Sequence, residues 1–300
     1  MRVLKAIKEW LLDYIFSLIP DGMYLKFKYR VVMHKKLNLK TPITFNEKIQ
    51  WLKLYNRKPE YTTMVDKYAV KDFVASKIGW KYIIPTLNVW NSSDEIEWDR
   101  LPNEFVLKTT HGGGNMGVIV VKDKNNINKK EIVYKLNKAL KLDLYKRNRE
   151  WPYKYVKKRI IAEKFMKDNT SNDKDLSDYK FYCFNGEPKY CQVIRDRNSK
   201  ETIDFYDMKW NHMPFVGLNP IGKDGFENGT SPVPKPIHLD KMIEICQKLS
   251  CNIPFVRIDL YLINNSIFFG EITFYPASGI GTFSPEEWSL KLGKMIELPR

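Results

Sequence analysis

Two carboxylates late in the chain are spaced so that a β-hairpin could bring them together. Residues 255–261 are predicted to form a strand with Arg257 and Asp259 on one face, because side chains alternate along a strand. An Asn-Asn pair suited to positive φ makes the turn, and the return strand places Glu271 and Thr273 on one face. Facing carboxylates repel each other unless a cation lies between them, and hard oxygen ligands suit magnesium.

Arg257 extends the chemistry of this hairpin. It stands two residues before Asp259, so its guanidinium could hold a phosphoryl oxygen in the same site. The alternative is a solvated strand face with an ordinary salt bridge. The flanking residues are too apolar for a solvated surface, so the pattern favours a site for magnesium and phosphate.

A glycine-rich segment earlier in the chain could bind an anion through its backbone. Residues 105–118 are predicted to form a strand, a turn with three successive glycines, and a second strand. Such glycines leave backbone N–H groups free to converge on an anion, and Lys108 just before them adds a positive charge. The segment lacks the Gly-Lys-Ser/Thr of a P-loop, and it opens no helix as a dinucleotide-binding fingerprint would. An ordinary glycine-rich hairpin is the alternative.

The elements that must position these residues are predicted to form a mixed α+β fold. The strands pair as antiparallel hairpins, without the regular βαβ alternation of a parallel sheet. Helices are predicted at about residues 4–18, 24–40, 64–78 and 129–142, with a capping box at Thr44 and Glu47. Strands are predicted at residues 105–108, 118–121, 160–165, 180–184, 190–195, 256–263 and 267–273, and residues 214–236 are predicted to be a long surface loop.

The composition is that of a folded globular protein. Of the 300 residues, 43% are hydrophobic and 14% aromatic, and this length predicts one multi-lobed enzyme or two domains. The four cysteines form no Cys-x-x-Cys pair and the four histidines are scattered, which argues against a zinc site or a disulfide framework. This pattern favours a reducing compartment, so a cytoplasmic location is expected. The net charge of +15 would attract a polyanion such as nucleic acid, an anionic membrane face, a polyphosphate or an acidic polymer.

The N-terminal segment concentrates part of this positive charge. Residues 1–40 hold nine Lys or Arg against three acids, a net charge of +6. Charges interrupt the predicted helix at 4–18, so it is neither a signal peptide nor a membrane span. An amphipathic basic helix can lie on an anionic membrane surface or pack on its own domain, and both alternatives stay open for residues 1–40.

Four pieces of the sequence, in this order, resemble the ATP-grasp superfamily. They are Asp66-Lys67, the glycine-rich loop after Lys108, residues 161–166, and Arg257-x-Asp259 followed by Glu271-x-Thr273. More narrowly, the chain resembles the teichuronopeptide-biosynthesis (TupA-like) ATP-grasp family over residues 25–295. The matching stretches are Thr44-Phe-Asn-Glu-Lys-Ile-Gln-Trp-Leu, Asp66-Lys-Tyr-Ala-Val, Leu101-Pro-x-x-Phe-Val-Leu-Lys-x-x-His-Gly, Asp178-Tyr-Lys-Phe-Tyr-Cys-Phe-Asn-Gly and Gly270-Glu-x-Thr-Phe-Tyr-Pro.

This resemblance implies an ATP-grasp fold that holds the nucleotide between two α+β subdomains. It implies a basic helical N-terminal extension (1–60), an N-terminal lobe (61–100), a lid subdomain with the glycine-rich loop (101–165) and a C-terminal catalytic subdomain (166–300). Lys67 and Lys108 would neutralise the nucleotide phosphates. The other residues implied to bind ATP are His111, Gly112, Gly113, Gly114 and Asn115 in the lid, Glu163, Lys164, Phe165 and Met166 beside the adenine, and Lys180.

The resemblance also implies the residues that carry the chemistry. Asp259 and Glu271 would hold magnesium, while Arg257 and Lys108 would act on the phosphoryl group as it is transferred. Many ATP-grasp enzymes have Asn two residues after the metal-binding Glu, where this chain has Thr273. A hydroxyl can still ligate magnesium, directly or through water, so only the coordination detail is affected.

The implied activity is an ATP-dependent carboxylate–amine ligase that forms an amide through an acyl phosphate. The family is associated with bacterial cell-surface and capsular polysaccharides, so the implied partners are an acidic sugar or polymer precursor and an amino acid or amine. Arg195 and Arg197 are candidates to face this acidic substrate, and an exposed salt-bridge cluster is the alternative for them.

Two other classes of protein are alternatives to the ligase. A glycosyltransferase would use an Asp-x-Asp, and Asp173 and Asp175 fit that string, but they lie in a polar stretch with no preceding Rossmann strand. A basic nucleic-acid-binding protein would suit the positive charge. However, no helix-turn-helix, zinc finger or RNA-binding aromatic motif is present, so no nucleic-acid partner is expected.

Overall fold

The computed structural model describes residues 18–114, 116–170, 176, 178–195, 201–220 and 225–299. The α-helices are α1 (Asp21–Met33), α2 (Phe45–Tyr55), α3 (Glu60–Val65), α4 (Ala69–Ile78), α5 (Lys129–Leu140), α6 (Leu144–Asn148), α7 (Leu239–Ser250) and α8 (Glu287–Met295). The strands are β1 (Thr86–Trp90), β2 (Phe105–Thr109), β3 (Val118–Val121), β4 (Ile160–Lys164), β5 (Asp178–Phe184), β6 (Glu187–Arg195), β7 (Thr202–Asp207), β8 (His212–Met213), β9 (Val216–Asn219), β10 (Phe255–Ile263), β11 (Ser266–Thr273) and β12 (Thr282–Ser284).

The strands form two large antiparallel sheets and one small one. The first sheet has the order β1-β4-β2-β3, the second the order β11-β10-β5-β6-β7-β8, and β12 pairs with β9. The predicted α+β class with antiparallel hairpins is confirmed. The first sheet takes strands from both sides of residue 100, and the subdomain boundaries stay a prediction.

Each large sheet has its own hydrophobic core. The six-stranded sheet buries its central strand β5 completely and packs against α7, whose apolar residues Leu239, Met242 and Ile245 are buried there. The four-stranded sheet packs against α5 through a second, smaller cluster that includes Ile132 and Leu136. Two separate cores therefore lie behind two sheets, and these sheets form opposite walls of the site described below.

The predicted helix 64–78 is in fact two helices. The chain leaves the helical path between α3 and α4, where Asp66 Oδ1 accepts hydrogen bonds from the backbone N–H groups of Tyr68 (2.8 Å) and Ala69 (3.1 Å). This carboxylate competes with the helical hydrogen bonds and interrupts them. The predicted end at Gly79 is correct, with φ at 100°.

Three further predictions about helices have different outcomes. The capping box at Thr44 and Glu47 is confirmed at the start of α2. The helix predicted at 24–40 ends earlier, at Met33, because His34 adopts a left-handed conformation with φ at 55°. The helix predicted at 4–18 lies outside the described residues except for Leu18.

The sequence predicts that residues 214–236 form a long surface loop, and the structure shows that part of this stretch is buried instead. Phe215 is 1% exposed, and its ring stacks on Trp288 and Phe205 at centroid distances of 4.1 and 4.3 Å. The strand β9 then pairs with β12. Burial of one aromatic residue therefore pulls part of this Pro- and Gly-rich stretch into the core. No helix in the described part of the chain is long and apolar enough to cross a membrane.

Candidate active site

A cleft of about 960 Å³ lies between the two large sheets. One wall consists of β2 and β4 with α4, and the facing wall consists of β5, β10 and β11. This volume is within the range typical of sites for small-molecule ligands and cofactors. Its charged lining residues are Lys28, Lys67, Lys71, Lys108, Arg147, Glu150, Glu163, Asp178, Lys180, Glu201, Arg257, Asp259 and Glu271.

A β-bulge brings the two predicted carboxylates together. Asp259 on β10 lies directly opposite Glu271 on β11, and the register shifts immediately afterwards, so that Gly270 is an extra residue. Directly opposite residues share a face of the sheet, so Glu271 faces the cleft with Asp259 while Phe269 pairs with Leu260 on the buried face. A Cβ at Gly270 would lie 3.0 Å from the carbonyl oxygen of Asp259, so glycine allows this close approach.

Asp259 is buried and is held by two cations. The guanidinium of Arg257 donates from Nε to Oδ1 (2.6 Å) and from its terminal nitrogen to Oδ2 (2.7 Å). Lys180 lies opposite Asp259 on β5, and its Nζ is 2.6 Å from Asp259 Oδ2 and 2.6 Å from Asp178 Oδ2. Arg257 also donates to Thr273 Oγ1 at 3.1 Å. Burial alone would raise the pKa of Asp259, but Arg257 and Lys180 outweigh it and lower the pKa, so the carboxylate is ionised.

The oxygen atoms on this hairpin are suited to magnesium. The carboxylate of Asp259 has about four acceptor positions, and three are used by Arg257 and Lys180, which leaves one on Oδ1. Glu271 is only loosely paired, 3.6 Å from Lys67 Nζ, and the hydroxyl oxygen of Thr273 adds a third hard ligand. Among the described residues, no group of three or more His, Cys, Asp or Glu could hold a metal by itself. Magnesium is commonly bound by one or two carboxylates, with phosphate oxygens and water completing its shell.

Glu163 organises the opposite wall of the cleft. It lies on β4, and its two oxygens are each 2.5 Å from an ammonium group, Lys71 Nζ on α4 and Lys108 Nζ on β2. Burial would raise the pKa of Glu163, but Lys108 and Lys71 outweigh it and the pKa is lowered. One buried carboxylate therefore aims two lysines at the cleft.

The interruption between α3 and α4 places Lys67. Its backbone N–H donates to the carbonyl of Thr110 at 3.0 Å, which ties it to the end of β2. The neighbouring Asp66 forms an ion pair with Arg159 at 2.8 Å. Lys67 therefore projects from a fixed backbone toward Glu271, and it joins the two walls of the cleft.

The glycine-rich turn forms part of the lining of the cleft. Gly113 and Gly114 line it, together with Met116 and Val118. At the end of the turn Gly117 has φ at 73°, and a Cβ there would lie 2.4 Å from Thr109 Oγ1, so only glycine is accommodated. Asn115, predicted to belong to the lid, lies outside the described residues.

Several residues that the resemblance assigns to ATP lie away from the described lining of the cleft. His111 is 2% exposed, and burial lowers its pKa, so its ring is neutral. The lining includes Glu163 but none of Lys164, Phe165 and Met166. The backbone N–H of Lys164 donates to the carbonyl of Pro85 at 3.0 Å. Gly112 is also absent from the described lining, although Gly113 and Gly114, which follow it, are present.

The arginines predicted to bind substrate are only partly described. Arg195 lies at the end of β6, where it forms an ion pair with buried Asp204 at 2.9 Å and donates to the carbonyl of Ser231 at 2.7 Å. Ile194, just before Arg195, and Glu201, just after the undescribed residues 196–200, do line the cleft. Arg197 lies outside the described residues, as do Asp173 and Asp175 of the alternative glycosyltransferase motif.

Lys71 and Glu150 are among the charged groups of the cleft that were not predicted from the sequence as site residues. Lys71 follows Lys67 by four residues, a spacing that would place both on one helical face, and this was the available signal. Glu150 is 8% exposed and lies near Lys53, a buried lysine of α2 that donates to the carbonyl of Ser278 at 2.8 Å. Burial raises the pKa of Glu150 and lowers that of Lys53. Lys53 and Glu150 are 97 positions apart, and this separation hides their proximity in the sequence.

The family of the chain follows from a comparison with known protein families. A sequence model of the TupA-like ATPgrasp family matches residues 47–297. Because this match covers most of the chain, the chain belongs to that family, and the resemblance seen in the motifs is confirmed. The predicted ATP-grasp fold and the predicted enzyme class, an ATP-dependent ligase, are confirmed with it. No curated protein matches the sequence.

Solved structures of similar proteins include several ATP-grasp ligases. A D-alanine–D-alanine ligase from Helicobacter pylori is 17% identical, with a TM-score of 0.43 over 84% of this chain and 69% of that chain. The D-alanine–D-alanine ligase from Bacillus anthracis complexed with ATP is 12% identical, with a TM-score of 0.40 over 79% and 68%. A RimK domain ATP-grasp protein from Sphaerobacter thermophilus is 9% identical, with a TM-score of 0.42 over 79% and 69%.

The buried pair on β10 generates a prediction about stability. Arg257→Met should lower the free energy of unfolding by about 3–5 kcal/mol, because it leaves buried Asp259 with Lys180 as its remaining cationic partner among the described residues. The carboxylate contributes stability above its ordinary pKa, and this contribution is lost as the pH falls through the lowered pKa of the folded state. Urea unfolding at neutral pH measures the difference.

A matched control is the exposed pair of Lys35 and Glu286, whose side chains are 57% and 76% exposed. Lys35→Met should change the free energy of unfolding by less than about 1 kcal/mol. Equal effects of the two substitutions would contradict the role given to the Arg257–Asp259 pair.

Proposed function

We propose that the chain activates a carboxylate with ATP as an acyl phosphate and passes the acyl group to an amine. One observation carries this proposal. The Arg257–Asp259–Glu271 hairpin and the lysines held by Glu163 face each other across a single cleft. Family membership gives the chemical class, and this geometry supplies groups for the nucleotide phosphates on both walls.

The reaction requires the charges that the cleft offers. A carboxylate is a poor electrophile, so its oxygen attacks the γ-phosphorus and ADP leaves, which converts the carboxylate into an acyl phosphate. The amine nitrogen then attacks the acyl carbon, the C–O bond to phosphate breaks, and a proton leaves the nitrogen. Lys67, Lys108 and Arg257 offset the negative charge that accumulates on the phosphoryl oxygens, where electrostatic stabilisation contributes most to phosphoryl transfer.

The pairs in the described structure hold these cations ready for phosphate. Lys108 is oriented by Glu163, and Arg257 by Asp259 and Thr273, so little side-chain freedom remains to be lost when a nucleotide binds. Asp259, Glu271 and Thr273 would hold magnesium, which when bound would neutralise part of the phosphate charge. The turn at Gly113 and Gly114 would close over the phosphates and exclude water, which would otherwise hydrolyse the acyl phosphate.

The proposed substrates are an acidic sugar or polysaccharide precursor and an amino acid or other amine. The net charge of +15 supports an acidic partner. Within the cleft, Lys28 and Arg147 add positive charge on the side of the glycine-rich turn. The ammonium group of Lys28 donates to the backbone carbonyl oxygen of Arg147 (2.9 Å) and to the side-chain oxygen of Asn148 (2.6 Å), and neither acceptor is charged. Arg195 and Arg197 remain proposed substrate contacts. The proposed location is the cytoplasm, where free cysteines such as the four in this chain persist.

A substrate panel tests the proposal. ADP release is measured with magnesium and ATP across acidic sugars and amino acids, singly and in pairs. The expected result is ADP and inorganic phosphate in equal amounts, only when a carboxylate and an amine are both present. Transfer of a sugar without ATP consumption would contradict the proposal.

The metal assignment predicts the effect of neutralising Glu271. Glu271→Gln should abolish magnesium-dependent ADP formation, because the hairpin then keeps a single carboxylate for the cation. The fold should be retained, since Glu271 is partly exposed and only loosely paired. Asp259→Asn should also abolish turnover. Glu201→Gln, which changes another acid of the cleft, serves as the control and should keep most of the activity. Normal turnover in Glu271→Gln would contradict the assignment of Glu271 as a magnesium ligand.

The role given to Lys108 predicts a change in nucleotide affinity. Lys108→Met should weaken ATP binding by about 1–3 kcal/mol, the scale of one charge-assisted contact to a phosphate. Isothermal titration with ATP measures this change. The exposed Lys122, on the same segment beyond β3, provides the matched control Lys122→Met, which should bind ATP as the parent protein does. Equal affinity in the two variants would make the glycine-rich segment an ordinary hairpin.

A further inference from the structure

The helix α1 has two faces, and only one of them packs on the described part of the protein. Leu25, Tyr29 and Met33 are buried against the body of the fold. On the opposite face Met23, Phe27 and Val31 are 65%, 59% and 55% exposed. Their spacing of four residues aligns them in one stripe along the helix.

Positive charge lies along one side of this apolar stripe. Lys26 and Arg30 precede Phe27 and Val31 by one residue each, so they flank the stripe on one side, and both are exposed. Between residues 18 and 40 the chain has six Lys or Arg and a single acid, Asp21. Asp21 is turned inward, with ion pairs to Arg57 at 2.6 Å and Arg149 at 3.1 Å. The exposed face of α1 therefore presents apolar side chains and cations, and its one acid is neutralised.

The combination of apolar and basic side chains on α1 indicates which kind of partner would bind this face. A second copy of the chain would bring the same cations against one another, because a two-fold interface pairs identical surfaces. An anionic lipid surface instead takes the apolar side chains between its headgroups and attracts the cations around them. The complementarity of charge thus favours a bilayer over self-association.

We propose that the outer face of α1 docks on an anionic lipid bilayer, with Met23, Phe27 and Val31 in the headgroup layer. Lys28, one residue after Phe27 and thus about a quarter of a turn around the helix, lines the cleft. Docking through this face holds the edge of the cleft that Lys28 lines near the lipid headgroups. The proposal is independent of the reaction proposed for the cleft.

Sedimentation of the full chain with vesicles tests this surface. The protein should sediment with vesicles of equal parts phosphatidylglycerol and phosphatidylcholine, and not with phosphatidylcholine alone. Phe27→Ser should lower the partition coefficient roughly tenfold through lost apolar burial. Lys26→Gln and Arg30→Gln should each lower it roughly fivefold, and added salt should weaken binding of the parent protein.

Matched controls come from α5, which packs against the other sheet. Tyr134 is 68% exposed there, and Tyr134→Ser and Lys138→Gln should bind vesicles as the parent does. Thermal unfolding should be unchanged in Phe27→Ser, because its side chain points away from the buried face. The proposal is overturned if the parent protein does not bind anionic vesicles or if Phe27→Ser binds them as the parent does. It is likewise overturned if the parent protein is a dimer and the sole effect of Phe27→Ser is to convert this dimer to a monomer.

Discussion

A buried carboxylate must be paired with cations if it is to stay ionised, and two such carboxylates organise this protein. Glu163 holds Lys71 and Lys108 on one wall of the cleft, and Asp259 holds Arg257 and Lys180 on the other. In each cluster the attraction between the buried carboxylate and its two cations offsets the cost of burying these charges. The cations are thereby fixed at a surface that a polyanionic ligand can reach, and binding replaces one set of anionic partners with another.

The fold positions these two clusters through antiparallel pairing. Lys108 and Glu163 come from neighbouring strands of the smaller sheet, while Asp259 lies between Lys180 on one side and Glu271 on the other in the larger sheet. Each sheet has its own hydrophobic core, and α4, which carries Lys71, packs in the core of the larger sheet. Lys67 connects the walls, because its backbone is bonded to the end of β2 while its ammonium group approaches Glu271.

Much of this arrangement could be predicted from the sequence, where the signals are local. Alternation along β10 placed Arg257 and Asp259 on one face, and the capping box marked the start of α2. The interruption at Asp66 was missed because apolar periodicity continues through it, although the side chain of Asp66 competes for the helical N–H groups. The bulge at Gly270 was also hidden, since strict alternation from Ile267 would have put Glu271 on the buried face. Glu150 lies near Lys53 because two segments that are distant in the sequence pack together. A local sequence pattern cannot predict such a contact.

The central claim is that the outermost phosphate of ATP is transferred to a carboxylate, and isotope transfer tests it most directly. The carboxylate substrate found with the ADP-release panel is labelled with heavy oxygen, and the products are analysed by mass spectrometry. If an acyl phosphate forms, one labelled oxygen appears in inorganic phosphate for each amide made. Label in AMP would show that the α-phosphorus is attacked, and unlabelled phosphate would show that no acyl phosphate forms. Either result would contradict the account.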